Sequence, residues 1–242
     1  MGKAFGTKRD MKQGMPSNMP SIYYKDKNCV LYHGDCLDVL PSLKMEEHDL
    51  LFLDPPFDSW EMPGDVSCAT TIAFTNWQNR EKVNDLFGKP KTEVVWHFKD
   101  GRWVSHMLPR ITHELILVYG KTGEAYVGPP QDTTPVDKGA GCVGKDTLDD
   151  RIYTPRPRKQ LNSVIECARN VNHPLGCWGK PLSLVKTLLE WVDCSSLIDP
   201  FAGSGTSLLA AKELGMKAIG IEINEEHCEI AANRLSQDIF QF

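Results

Sequence analysis

The sequence predicts an α/β fold, a mostly parallel sheet with helices on both faces. One observation is the run from Leu197-Ile198-Asp199 through a turn holding Gly203 and Gly205, a helix Thr206 to Leu214, and the strand Ala218-Ile219-Gly220-Ile221-Glu222. Strand, tight turn, helix, strand is the repeating unit of a parallel sheet. Another is Asp49-Leu50-Leu51-Phe52-Leu53, apolar on both faces as a central parallel strand must be, and stopped by Asp54-Pro55-Pro56-Phe57. Finally, 242 residues with 41% apolar content suit one large domain that builds its core without disulfides.

Composition excludes several classes. The eight cysteines form no Cys-x-x-Cys pair, so neither a zinc knuckle nor a redox dithiol is expected, and scattered free thiols point to a reducing cytoplasm. No apolar run reaches membrane-spanning length and the amino terminus lacks an apolar signal core, so membrane insertion and secretion are not expected. His97, His106 and His113 sit on separate predicted elements without paired spacing, so no metal is expected. The net charge of -5 hides a local excess: Arg151, Arg156, Arg158, Lys159, Arg169 and Lys180 stand against Asp150 and Glu166. Local charge, not the sum, makes a phosphate-binding face, although a solvated basic loop has the same composition.

Taken in order, residues 1–22 read as a flexible basic arm, with Lys3, Lys8, Arg9 and Lys12 among residues without periodicity. Cys29 to His33 is a short strand, Gly34-Asp35 a turn, and Cys36 to Leu43 a short helix that Asp35 caps. The two prolines after Asp54 stop the next strand and hold its carboxylate at the carboxyl edge, where ligands of open parallel sheets bind. Residues 60–90, with Trp60, Trp77 and a polar helix Gln78 to Leu86, leave open a loop closing over a base or a plain surface excursion. Strands Val94 to Phe98 and His113 to Tyr119 flank a helix-like Trp103 to Leu108. Residues 123–162 lose periodicity, and so long an irregular segment is functional or disordered. Pro181 opens the amphipathic helix Leu182 to Val192. In Asn224 to Gln237, a packing helix, Ile230, Ala231 and Leu235 share one face and Arg234 points outward.

The glycine turn carries the chemistry. Gly203 and Gly205 allow a ligand to approach the backbone, and Glu222, 17 residues after Gly205, is placed to accept from ribose hydroxyls. An adenosine derivative is indicated. No Gly-Lys-Ser/Thr follows Gly205, and Leu208 stands where the third glycine of a dinucleotide turn belongs, so a phosphate-free cofactor fits better. A tight turn without any ligand is the alternative.

Asp199-Pro200-Phe201-Ala202-Gly203-Ser204-Gly205-Thr206 resembles the first motif of S-adenosylmethionine-dependent DNA methyltransferases, Asp-Pro-Phe-x-Gly-Ser-Gly-Thr. Asp54-Pro55-Pro56-Phe57 resembles their Asp-Pro-Pro-aromatic motif, and Lys180-Pro181 their His-Pro-x-x-Lys-Pro motif, although five residues rather than two separate His173-Pro174 from Lys180. The catalytic motif precedes the cofactor motif, which resembles the permuted beta class of DNA amino-methyltransferases, adenine-N6 type. The resemblance covers most of residues 29 to 236.

The resemblance implies a Rossmann-like methyltransferase with a seven-stranded, mostly parallel sheet in permuted order. Residues 23–242 become one catalytic domain with a target-recognition insertion at about 121–168, short enough to suggest a short target or weak sequence preference. S-adenosyl-L-methionine is the implied cofactor, held by Asp35, Cys36, Asp54, Lys180, Pro181, Asp199, Phe201, Ala202, Gly203, Ser204, Gly205, Thr206, Glu222 and Ile223. Asp54, Pro55, Pro56 and Phe57 are the implied catalytic residues, and Arg156, Arg158 and Lys159 the DNA contacts. The resemblance implies double-stranded DNA as the partner, in the cytoplasm of a prokaryotic cell or phage-infected host. A homodimer, and a restriction-modification, orphan or phage role, are left open. Adenine N6 is favoured because cytosine-N4 enzymes usually carry Ser where Asp54 stands. A cytosine-N4 or RNA methyltransferase and a non-catalytic DNA-binding protein on the same scaffold are the alternatives, with a nicotinamide dehydrogenase disfavoured by Leu208.

Overall fold

The structure is a computed structural model that describes residues 21–44, 48–56, 60–62, 66, 68–102, 106–107, 109–123, 126–127, 159–169 and 179–237. Its strands are β1 (Ser21–Lys25), β2 (Cys29–His33), β3 (Leu50–Leu53), β4 (Thr70–Thr75), β5 (Thr92–Arg102), β6 (Ile111–Gly120), β7 (Tyr126–Val127), β8 (Lys159–Gln160), β9 (Val164–Glu166), β10 (Ser196–Asp199) and β11 (Lys217–Glu222). Its helices are α1 (Cys36–Val39), α2 (Arg80–Phe87), α3 (Leu182–Val192), α4 (Thr206–Glu213) and α5 (Glu225–Ser236).

Among the described residues one sheet of nine strands runs β1-β2-β11-β10-β3-β4-β6-β5-β9, and β7 pairs with β8 in a separate ribbon. Strands β2, β11, β10, β3 and β4 are mutually parallel, β6 is antiparallel to both its neighbours, and β1 is antiparallel to β2. The expected seven-stranded, mostly parallel sheet is thus corrected to a nine-stranded mixed one. Strands β1 and β9 add an edge at each end, and Ser21 and Ile22 are strand residues rather than the end of an arm.

Alternation along β3 builds two apolar layers. Leu50 and Phe52 pack with α3, α4 and α5 through residues such as Leu188, Leu208 and Ala231. Leu51 and Leu53 pack on the opposite face with Val39 of α1 and Val83 of α2. Period-two burial on both sides is what a central strand between two helical layers requires.

Strand β4 is buried at all six positions and was not anticipated, because Thr70, Thr71 and Thr75 look polar in a Gly/Ser/Thr-rich stretch. Threonine is β-branched and suits a strand once its hydroxyl is paired. Thr70 donates to the carbonyl of Lys121 and Thr75 to that of Asn76. Strand β5 continues past the expected Phe98 to Arg102; of the stretch read as helix-like, Trp103 to Leu108, the described residues are His106 and Met107, which form a turn.

The topology decides where the site lies. The β10–α4–β11 connection leads to one side of β10, and β4 lies on the far side of β3. The two halves diverge between β10 and β3, the crevice where open α/β sheets bind ligands. Parallel pairing brings the ends of β2, β11, β10, β3 and β4 to one edge, together with the start of antiparallel β6.

Candidate active site

Asp199 ends β10 and organises the glycine turn. Its Oδ1 accepts from the Phe201 backbone N–H at 2.9 Å, and its Oδ2 pairs with the Ser207 hydroxyl. The chain then turns through Gly203 (φ 52°) and Gly205 (φ 75°), both in the left-handed region that favours glycine. A Cβ on Gly205 would also stand 2.9 Å from Cβ of Ala231 on α5, so this glycine sets the approach of two helices. On β11, a Cβ on Gly220 would meet the Leu208 methyls at 2.8 Å. The close strand–helix approach that a dinucleotide turn obtains from its third glycine is obtained here from the strand side.

Glu222, 8% exposed at the end of β11, locks the turn from beneath. Its Oε2 accepts from Gly203 N–H at 2.7 Å and its Oε1 from Asn224 N–H at 2.8 Å. A carboxylate oxygen accepts more than one hydrogen bond, so both retain capacity toward a ligand hydroxyl. Arg234, expected to point outward, instead reaches back from α5: Nη1 donates to the Ser204 carbonyl at 2.6 Å, to Ser204 Oγ at 3.0 Å and to Thr206 Oγ1 at 3.1 Å. Helical periodicity places Arg234 beside Ala231 and Leu235, and its length carries the guanidinium to the turn.

Across the crevice, Asp54 follows β3. Lys180, 8% exposed just before α3, places Nζ 2.6 Å from Asp54 Oδ1 and 3.3 Å from Glu114 Oε2, over the ring of Phe74 at 5.0 Å. Burial alone would lower the Lys180 pKa, but the Asp54 and Glu114 carboxylates more than offset it and hold the ammonium above its ordinary value. Glu114 was overlooked in the strand pattern of β6; its register opposite Trp96 brings it to Lys180. Pro181 is the N-cap of α3 rather than its first helical residue.

Asp54, Glu114, Lys180, Asp199, Gly203 and Glu222 line one cavity of about 1180 Å³ that also takes in Asp35 and Arg110. Of the expected cofactor residues, Asp35, Cys36, Asp54, Lys180, Asp199, Phe201, Ala202, Gly203, Ser204, Thr206, Glu222 and Ile223 line it. Gly205 and Pro181 shape the turn and the helix start behind the wall. Asp35 also caps α1 by accepting from Leu37 N–H at 2.9 Å. Pro55 is buried in the wall and Pro56 is exposed at it. Phe57, Arg156 and Arg158 lie outside the described residues, and Lys159 is described by its backbone in β8.

The electrostatics suit a cation. Burial raises the Asp199 pKa to about 7; Ser207 and Phe201 lower it, and the Asp54 and Glu222 carboxylates raise it further. Asp35, Asp199 and Glu222 face the cavity around the glycine turn, which opposes a pyrophosphate and favours a positively charged ligand. The residues present fit a sulfonium nucleoside: Glu222 keeps capacity for a ligand hydroxyl, and Asp35, Asp199 and Glu222 are carboxylates for its charge. Among the described residues, no group of three or more His, Cys, Asp or Glu could hold a metal ion, and no helix is long and apolar enough to cross a membrane.

A crevice that fits a nucleoside, joined to an Asp-Pro-Pro edge, matches the expected methyltransferase fold, and comparison with known proteins shows that fold. The family model described as DNA methylase, for N6 and N4 amino-methyltransferases, matches residues 74–233. The chain is 45% identical over 254 residues to the type II methyltransferase M2.DpnII of Streptococcus pneumoniae, covering 91% of this chain and 94% of that one. It is 25% identical over 245 residues to the DNA adenine methyltransferase YhdJ of Escherichia coli K12, covering 85% and 82%. The M1.HpyAVI–SAM complex shares the fold at a TM-score of 0.58 and 18% identity, covering 86% of this chain and 100% of that one. The cytosine-N4-specific PvuII DNA methyltransferase shares it at 0.63 and 13%, covering 93% and 92%.

The chain belongs to the N6/N4 DNA methylase family. It is a DNA methyltransferase that uses S-adenosyl-L-methionine.

Proposed function

We propose that this enzyme methylates the N6 amino group of adenine in double-stranded DNA, as a member of the permuted class. The observation that carries the reading is Asp54, fixed at the end of β3 by buried Lys180 and facing the cavity beside the glycine turn. Adenine is favoured by the acid at position 54, and the relative YhdJ is named an adenine enzyme. The catalytic strand precedes the cofactor turn in the chain, which is the permuted order.

S-adenosylmethionine supplies an electrophilic methyl group. Glu222 accepts from the ribose hydroxyls, Asp35 from the adenine of the cofactor, and Asp199 with its neighbours faces the positive charge. The amino lone pair of a target adenine is delocalised into its ring and attacks poorly. Asp54 Oδ2 and the Pro55 carbonyl accept its two N–H bonds, which localises the lone pair and aims it at the methyl carbon. Bound there, the cofactor would give up its methyl carbon with the C–S electron pair retained by sulfur, and Asp54 would accept the surplus proton of the amino nitrogen as its N–C bond formed. Lys180 holds Asp54 Oδ1 throughout, so it is a positioning residue in addition to its expected place at the methionine end of the cofactor. Phe57 stacks on the base, which must leave the duplex because its amino group is otherwise paired. Arg156, Arg158 and Lys159, in the insertion at about 121–168, contact the DNA.

The test is methyl transfer from labelled S-adenosylmethionine to unmethylated duplex DNA, read by nucleoside mass spectrometry. N6-methyladenine is the expected product; N4-methylcytosine overturns the choice of base, and product on RNA alone overturns the substrate. Asp54→Ala should lower transfer by at least about a hundredfold while cofactor binding persists.

A further inference from the structure

The cavity has two chemically different sides. On the β2-β11-β10 side of Asp54 the lining carries the carboxylates Asp35, Asp199 and Glu222, beside Phe201 and His227. On the β4-β6-β5 side it is aromatic and cationic: Trp77, Trp96 and Phe98 with Arg110 and Arg169. The one carboxylate among the β6 lining residues, Glu114, faces the Lys180 ammonium. A cationic cofactor occupies the first side, so the second is left for a polyanion with planar groups.

Trp77 stands out on that side. It is 77% exposed, in a protein whose Trp60, Trp96 and Trp191 are buried to within 6%. Its backbone is nevertheless pinned. Asn76 follows β4, the strand beside β3, and its Oδ1 accepts from Gln78 N–H at 3.0 Å and Asn79 N–H at 2.9 Å. Its carbonyl accepts from Arg80 N–H at 3.1 Å, so the turn is tied to the start of α2. A large ring on a hydrogen-bonded turn lining a cavity is a stacking platform, because its backbone is already fixed and most of its apolar face is still in water. Arg110, exposed at the start of β6, lines the same side. The Arg169 guanidinium lies 4.9 Å over Phe98 and donates to the Asp100 carbonyl, which fixes the floor between them.

We propose that Trp77 and Arg110 form the rim that receives the DNA strand, Trp77 stacking on a nucleobase at the cavity mouth and Arg110 contacting a phosphate. This rests on the reading of the protein as a DNA-modifying enzyme. It adds a surface built by the folded sheet edge to the insertion at 121–168.

Stacking and phosphate contact differ in their response to salt, and that difference tests the assignment. The probe is a fluorescein-labelled duplex containing a sequence that the wild-type enzyme methylates, titrated by anisotropy from about 50 to about 200 mM salt. Trp77→Ala should bind about tenfold more weakly at every salt concentration with the slope of log K against log salt unchanged, and Trp77→Phe should recover most of the loss. Arg110→Ala should reduce that slope by about 0.9, the release of one counterion. Calorimetric binding of S-adenosylmethionine should be unaltered in all three. Trp77→Ala binding the duplex as tightly as wild type overturns the stacking platform, as does a change in oligomeric state without a change in DNA affinity. An unchanged slope in Arg110→Ala overturns the phosphate contact. Wild-type protein that methylates no DNA overturns the parent reading instead, so the two failures are distinguishable.

Discussion

Asp199 is the residue whose ionisation the cavity controls most strongly. Its carboxyl, with a pKa raised to about 7, holds a proton between about pH 4 and 7 that the unfolded chain releases. The folded state binds more protons there, so Asp199 makes stability fall as pH rises through that window and contributes a constant penalty above it. A cation bound beside it reverses the balance by favouring the carboxylate. The affinity for S-adenosylmethionine should therefore rise as pH is raised from about 5.5 to about 7.5, and Asp199→Asn should remove the dependence. Isothermal titration calorimetry at three pH values checks this, and a flat wild-type profile counts against it. At this scale much was legible. Asp54, Asp199 and Glu222 were recognisable because each ends an apolar run, and a strand end on a parallel sheet is an address. Glu114 and Arg234 were not, because each acts through a long side chain toward an element remote in sequence.

Among the elements, the β10–α4–β11 unit carries the tightest constraints. Gly205 combines a left-handed backbone with a Cβ direction that points at Ala231, 2.9 Å away. Gly205→Ala should cost at least about 2 kcal/mol, from the left-handed penalty plus overpacking against α5. Urea unfolding followed by circular dichroism measures it, and a loss below about 0.5 kcal/mol would refute the packing argument. Apolar runs bounded by glycine and proline located β3, β10 and β11 to within a residue, and α3 over its full length. The same criterion passed over β4, whose threonines are buried, since the Thr70 hydroxyl is paired by the Lys121 carbonyl, 51 residues further along the chain. It also ended the strand at Phe98, whereas β5 continues to Arg102, because β6 supplies a partner for that stretch and local periodicity does not report partners.

Over the whole molecule the same burial that builds the two apolar layers silences the thiols. Burial pushes Cys29, Cys194 and Cys228 up to about 12, and Cys36 and Cys68 to about 11. A thiolate is the reactive species, so these five should resist iodoacetamide in the folded protein and react in denaturant. Peptide mapping after brief alkylation reads the outcome; prompt modification of Cys29 or Cys228 under native conditions would contradict it. The sequence by itself determined the class of fold, the glycine turn and the two acidic strand ends, because each is written in contiguous residues whose backbone preferences and apolar periods are local. Only the tertiary structure decided the nine-stranded order, the Lys180 bridge between Asp54 and Glu114, the Arg234 clamp and the division of the cavity into an acidic and an aromatic side. Those depend on which strands lie side by side, and strand neighbours are chosen by the burial of whole faces, a property that no single stretch of sequence carries.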